Sequence, residues 1–118
     1  MASVDYRKQT LTVTMDDIST AGSVYVVSPF RGWIERIDSV ISGAIITADA
    51  AITVELDGSA QSHLAFDIAN SGSAAGVVDT VETTRDTAGL VPGMVIELIT
   101  DGASANTVAA TFTITIRI

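Results

Sequence analysis

The stretch Thr107-Val-Ala-Ala-Thr-Phe-Thr-Ile-Thr-Ile-Arg-Ile118 alternates almost without a break. Val108, Ala110, Phe112, Ile114, Ile116 and Ile118 fall on one side of an extended chain, and Thr107, Ala109, Thr111, Thr113, Thr115 and Arg117 on the other. Successive strand residues point to opposite faces, so this pattern predicts a strand with one buried and one wetter face. Working outward, the same habit recurs. Gln9–Met15 alternates with Leu11, Val13 and Met15 inward, and Ala51–Asp57 with Ile52, Val54 and Leu56 inward and Thr53, Glu55 and Asp57 outward. Ser23–Val27, Met94–Thr100 and, more weakly, His63–Ile68 and Val77–Thr84 complete the set with Trp33–Ser42.

Trp33–Ser42 differs from the rest. Strict alternation places Ile34 and Val40 on one face and Trp33, Ile37 and Ile41 on the other, a strand that is apolar on both sides. Breaks between the strands carry their own chemistry. Ser28-Pro29 ends one strand because proline cannot donate to a ladder. Asp57-Gly58 and Val91-Pro92-Gly93 are tight-turn signals, with glycine able to take positive φ. About eight strands separated by turns, with almost no helical periodicity, predict an all-β single-domain sandwich of two sheets, of jelly-roll or related Greek-key type. Residues 1–9 read as an N-terminal arm and 10–118 as the sandwich domain.

The length of 118 residues suits one domain with a core that needs no cross-links. No cysteine is present, which removes disulfides and thiolate metal sites. Val, Ile and Thr make up about a third of the chain, as pleated surfaces favour. Hydrophobic residues reach 47% and mean hydropathy +0.45, yet no apolar run approaches a membrane span. The N-terminal residues lack the apolar segment of a secretory signal. The surplus apolar surface is therefore expected in a core and a subunit interface. A formal charge of −8 with six scattered basic residues argues against nucleic-acid binding.

Catalytic parts are missing. The single histidine, His63, cannot supply the ligand set of a metal-dependent jelly roll or a triad on its own. The serine in Gly72-Ser-Ala-Ala-Gly76 does not match a nucleophile elbow. Asp16 and Asp17 are adjacent and point apart in an extended chain, while Glu55 and Asp57 share the wet face of a strand. Asp49, Asp57 and Asp101 near turns would hold calcium only if their loops converged, and the chain has no calcium-loop motif. No phosphate-binding glycine loop occurs. The expectation is a non-enzymatic protein with no cofactor and no metal.

Binding residues are then sought among aromatics and basic groups. Pro29-Phe30-Arg31-Gly32-Trp33 is the densest aromatic stretch and holds the only tryptophan. Phe30 and Trp33 either close the end of the core or anchor a subunit contact. Tyr6, Arg7 and Lys8 form either a solvated tail or an arm that lies on an acidic partner.

The stretch Arg31-Gly-Trp-Ile-Glu-Arg-Ile-Asp-Ser-Val-Ile-Ser-Gly-Ala-Ile-Ile-Thr-Ala-Asp-Ala-Ala-Ile-Thr-Val-Glu-Leu-Asp-Gly58, continued by Leu90-Val-Pro-Gly-Met-Val-Ile-Glu-Leu-Ile-Thr-Asp-Gly102 and the terminal strand, resembles small virion structural proteins of tailed bacteriophages, especially capsid decoration (cement) proteins. The likeness is one of strand order and style from about Gly22 onward. It implies a homotrimer on the outer capsid surface that bridges subunits of the major capsid protein. The likeness supplies no site residues; on composition, Tyr6, Arg7 and Lys8 are the candidate capsid-binding residues, and Phe30, Trp33, Ile37 and Ile41 the candidate subunit interface. Two other classes fit the same sandwich: another virion part, such as a head-fibre base or tail component, and a carbohydrate-binding module, which would need an aromatic platform.

Overall fold

The computed structural model describes residues 7–83 and 89–118. Ten strands and one 3₁₀ turn follow in order: β1 (Lys8–Met15), β2 (Gly22–Val27), β3 (Gly32–Ile41), β4 (Ala50–Leu56), β5 (Ser59–Ala60), the turn Ser62–Leu64, β6 (Phe66–Ile68), β7 (Val78–Glu82), β8 (Gly89–Leu90), β9 (Val95–Thr100) and β10 (Ala110–Arg117). One sheet runs β1-β10-β3-β7, with β8 also on β3. The other runs β2-β9-β4, with β5 and β6 both on the far side of β4. All pairings are antiparallel.

The pairings nest. β1 pairs with β10, β2 with β9, β3 with β7 and β4 with β6. The chain is thus one long hairpin rolled on itself, and that is the jelly-roll topology. The fold agrees with the expected sandwich, and each of the expected strands has a counterpart. The two-residue strands β5 and β8 are additions. His63 departs from the expectation. Only Phe66–Ile68 pairs with β4, while His63 lies in the 3₁₀ turn before it.

Between the sheets lies the core. Phe112, Ile114 and Ile116 of β10 and Ile34 and Ile37 of β3 meet Ile52 and Val54 of β4 and Ile96 and Leu98 of β9. Phe112 stands edge-on to Phe66, ring centroids 6.4 Å apart at 77°. Such alternation of buried and half-buried residues, along all of β10 and the start of β4, is what the period-two pattern dictates. The chain turns between β4 and β5 at Asp57-Gly58, both at positive φ (49° and 81°), as a two-residue hairpin turn that follows the strand twist requires.

β3 corrects the expected face assignment. Thr115 of β10 pairs with Arg36, but the next residue, Ile116, pairs with Ile34. Glu35 is therefore an extra residue, a bulge that resets the phase. Ile34, Ile37, Ser39 and Ile41 all turn inward and are buried, and Trp33 and Val40 face out. The strand has one apolar core face, and the second apolar face read from strict alternation does not exist. β1 also starts earlier than the expected arm boundary. Lys8 and Gln9 already pair with Arg117 and Ile116.

Candidate interaction surfaces

The outer face of the first sheet is a threonine floor. In register across β1 and β10 stand Thr10 and Thr115, Thr12 and Thr113, and Thr14 and Thr111. The Thr14 and Thr111 hydroxyls are 3.1 Å apart. Beside this floor, β3 and β7 contribute a charged network. Arg36 Nε donates to Asp38 Oδ1 at 2.8 Å and its Nη1 to Glu82 Oε1 at 3.0 Å, while the Thr80 hydroxyl donates to Asp38 Oδ1 at 2.6 Å. Partial burial raises the Asp38 carboxyl's pKa, but the Thr80 and Arg36 hydrogen bonds outweigh it and hold the group below its ordinary value. Val40 and Val78, directly paired, are exposed next to this network. A shallow depression of about 380 Å³ lies here, lined by Arg36, Asp38, Ser39, Val40, Val78, Thr111 and Thr113.

The second sheet's outer face presents Tyr25 (63% exposed) and Val27 (55%) on β2, beside the half-buried Glu97 and Val95 of β9. Ser23 Oγ donates to Glu97 Oε2 at 2.6 Å. Glu97 stands directly across from Glu55 of β4, a like-charge pairing that costs stability in a sheet.

Each expected site residue can now be placed. Ile37 and Ile41 are buried in the core at 0% and 2% exposure, so they have almost no surface to give a seam. Phe30 packs against the core, its N–H held by Ser28 Oγ at 3.1 Å. Trp33 is partly buried on the outer face opposite Arg117. It does not line the depression, whose lining contains no aromatic ring. Tyr6 lies outside the described residues. The Arg7 carbonyl accepts the Ile118 N–H, and Lys8 Nζ sits 3.2 Å from Glu35. The bulge residue and the start of β1 are thereby tied together.

Several of the remaining polar candidates bond the backbone. Asp17 accepts from the Ser19 N–H, the Ser19 hydroxyl and the Thr20 hydroxyl, and the Ser19 bonds in particular hold its carboxyl below its ordinary value. Asp57 Oδ1 accepts from Val95 N at 2.8 Å, Asp101 Oδ1 from Ala51 N and Ala103 N, and Asp49 Oδ1 from Asn70 N. Asp57 follows the end of β4 whose start lies next to Asp49, so the three aspartates do not converge. Among the described residues no group of three or more His, Cys, Asp or Glu side chains comes together as a metal site would require. Ser73 bonds Ile45 and Asn70 and acts as a loop clamp. No helix among the described residues is long and apolar enough to cross a membrane. The threonine floor escaped the sequence reading because Thr10 and Thr115 are neighbours only through the rolled pairing of the chain's two ends.

No protein-family model matches the chain, and no curated protein matches it. Solved structures do match. The chain is similar to a chain in the acidic stable capsid structure of Helicobacter pylori bacteriophage KHP30, with TM-score 0.63 and 13% identity, over 98% of its own length and 90% of the other's. It is similar to a chain of the cyanophage Pam1 capsid asymmetric unit, with TM-score 0.58 and 13% identity, over 100% and 91% of the two lengths. It also matches the catalytic domain of a GH87 α-1,3-glucanase in complex with nigerose, with TM-score 0.58 and 11% identity, over 91% of its own length. Of that glucanase chain it spans 22%, about a fifth. At such identities the shared property is the β-sandwich fold.

Proposed function

We propose that this chain is a non-enzymatic structural protein of a bacteriophage virion, a decoration (cement) protein on the outer capsid that bridges neighbouring subunits of the major capsid protein. The observation that carries the reading is the two-way correspondence with the phage-capsid chains, 98% against 90% and 100% against 91%. The matched chains of those capsids are close to this chain in length. In the glucanase the same fold is one part of a much larger chain. Two further features support it. Beside their charged groups, both outer faces carry neutral or apolar side chains suited to protein contacts: threonines, Val40 and Val78 on one, Tyr25 and Val27 on the other. The carboxylates of Asp17, Asp49, Asp57 and Asp101 accept hydrogen bonds from backbone N–H groups.

Bridging works by multivalency. Each copy that touches more than one capsid subunit gains effective concentration from the first contact for the second. The test is addition of the purified chain to capsids that lack it, followed by sedimentation and heating. Co-sedimentation with a raised temperature of capsid rupture is expected. A chain left in the supernatant overturns the reading. A glycan screen then distinguishes the carbohydrate-binding alternative, which the aromatic-free depression does not favour.

A further inference from the structure

β1 is an edge strand. β10 occupies one side, and among the described residues no strand borders the other. Its eight residues pair with β10 without interruption from Lys8 against Arg117 to Met15 against Ala110. Proteins blunt such an edge with proline, inward charges, bulges or a covering loop, because its free N–H and C=O groups invite another strand. The sequence Lys8-Gln-Thr-Leu-Thr-Val-Thr-Met15 has no proline and one charge, at its start. The bulge lies on β3, two strands away. After Met15 the chain folds over the end of β10, where Ile18 N donates to the Val108 carbonyl at 3.0 Å. Beyond Lys8 at its start, none of these protections lies along the strand among the described residues.

We propose that this edge is a pairing site for β1 of a second copy, antiparallel, with the twofold axis at Thr12. Parity limits the choice. Side-chain faces and free edge groups both repeat every second residue, so even residues have to meet even ones and the axis passes through a residue. With the axis at Thr12, Lys8 faces Asp16 of the partner subunit, an exposed carboxylate. Thr10 faces Thr14 of the partner subunit, and Thr12 faces its own copy. On the inner side Leu11 meets Val13 of the partner subunit, and Gln9 meets Met15 of the partner subunit. An axis at Leu11 would set Lys8 against a threonine, and one at Val13 would set Thr10 against Asp16 of the partner subunit. The Thr12 register alone of these three pairs opposite charges at both ends. Lys8 keeps 43% of its side chain exposed beside Glu35, and Asp16 is exposed. In a chain of charge −8, where two copies repel, a local pair at each end of the seam is the kind of feature that fixes register. The threonine floors of the two copies then join into one continuous face.

This contact is isologous and uses up the edge of both partners, so it produces even-numbered assemblies and cannot by itself close the trimer implied by the phage resemblance. It stands independently of the capsid role.

The absence of cysteine gives a clean test. A Thr12→Cys variant carries one thiol, on the exposed face. Directly opposed residues of an antiparallel pair have Cα atoms roughly 4.5–5.5 Å apart, within disulfide reach. A Thr53→Cys variant, exposed on the other sheet, reports random collision. Under mild oxidation Thr12→Cys should form a covalent species of about 24 kDa, twice the 12.2 kDa chain. Its rate should exceed that of Thr53→Cys by at least about ten-fold, as a held pair does over a diffusing one. Adding Asp16→Lys, which faces Lys8 of the partner subunit, should slow the reaction several-fold, and Lys8→Glu with Asp16→Lys should restore it. Equal rates for the two cysteine variants overturn the proposal. So does light scattering that finds the wild-type chain as a monomer or as three copies.

Discussion

Deleting Glu35 should leave the protein folded, whereas deleting Asp38, three residues on, should not. Glu35 has no partner on β10, since Arg36 pairs with Thr115 and Ile34 with Ile116. Its removal turns the bulge into a regular ladder: Ile34 in, Arg36 out, Ile37 in. What is lost is the hydrogen bond from Thr83 N to the Glu35 carbonyl at 2.9 Å, worth about 1 kcal/mol. The 3.2 Å contact with Lys8 goes too, and an exposed pair of this kind contributes about 0–1 kcal/mol. The sum, about 1–2 kcal/mol, lowers Tm by about 4–8 °C for a chain of 118 residues. Removing Asp38 instead throws Ile34 and Ile37 out of phase with Ile41. Each is fully buried, and losing such an isoleucine from a core costs about 2–5 kcal/mol. Two of them consume most of a typical stability of about 5–15 kcal/mol. The assay is thermal and urea unfolding followed by circular dichroism. If the Glu35 deletion loses its cooperative transition, or the Asp38 deletion melts within a few degrees of it, the bulge does not set the phase of β3.

Two further outcomes follow from single contacts. A Cβ on Gly32 would strike the Arg117 carbonyl and lie 3.1 Å from the Ile118 Cα, backbone that cannot swing away. Gly32→Ala should therefore cost about 1–3 kcal/mol in urea unfolding, as overpacking does, and an unchanged midpoint would show that the chain end does not pack there. Asp38 and Asp17 both have carboxyl pKa values lowered from 3.8 in the folded chain. A depressed folded pKa means that the contribution to stability is complete above the unfolded value. It is lost as pH falls below about 4 and through the folded value. Asp38→Asn should lower Tm slightly at pH 7 and flatten the loss of Tm on acidification. Parallel curves for variant and wild type would refute a role for the Arg36–Asp38–Thr80 network in acid sensitivity.

The strands themselves were legible because burial of one sheet face writes a period of two into the chain. Ile52, Val54 and Leu56, or Phe112, Ile114 and Ile116, identify their inward face with no knowledge of partners. The turn at Asp57-Gly58 was legible for a similar reason, since positive φ selects the residue locally. Trp33 was not. Its face depends on one unpaired residue, Glu35, and a bulge is defined by the register with β10, about eighty positions away. Ile37 and Ile41 share the inward face that the bulge sets, and they belong to the core. His63 precedes the apolar Leu64, Ala65 and Phe66 and so fits a strand by sequence, yet only Phe66–Ile68 reaches the ladder of β4.

By itself, then, the sequence determined the all-β class, the strand positions and most inward faces, because each of these follows from the chemistry of residues near one another in the chain. Only the tertiary structure decided which strands pair, that β1 meets β10, that threonines from both make one floor, and that among the described residues no strand borders the far side of β1. Those are relations between distant segments, set by how the rolled hairpin buries its two apolar faces together, and no local period encodes them.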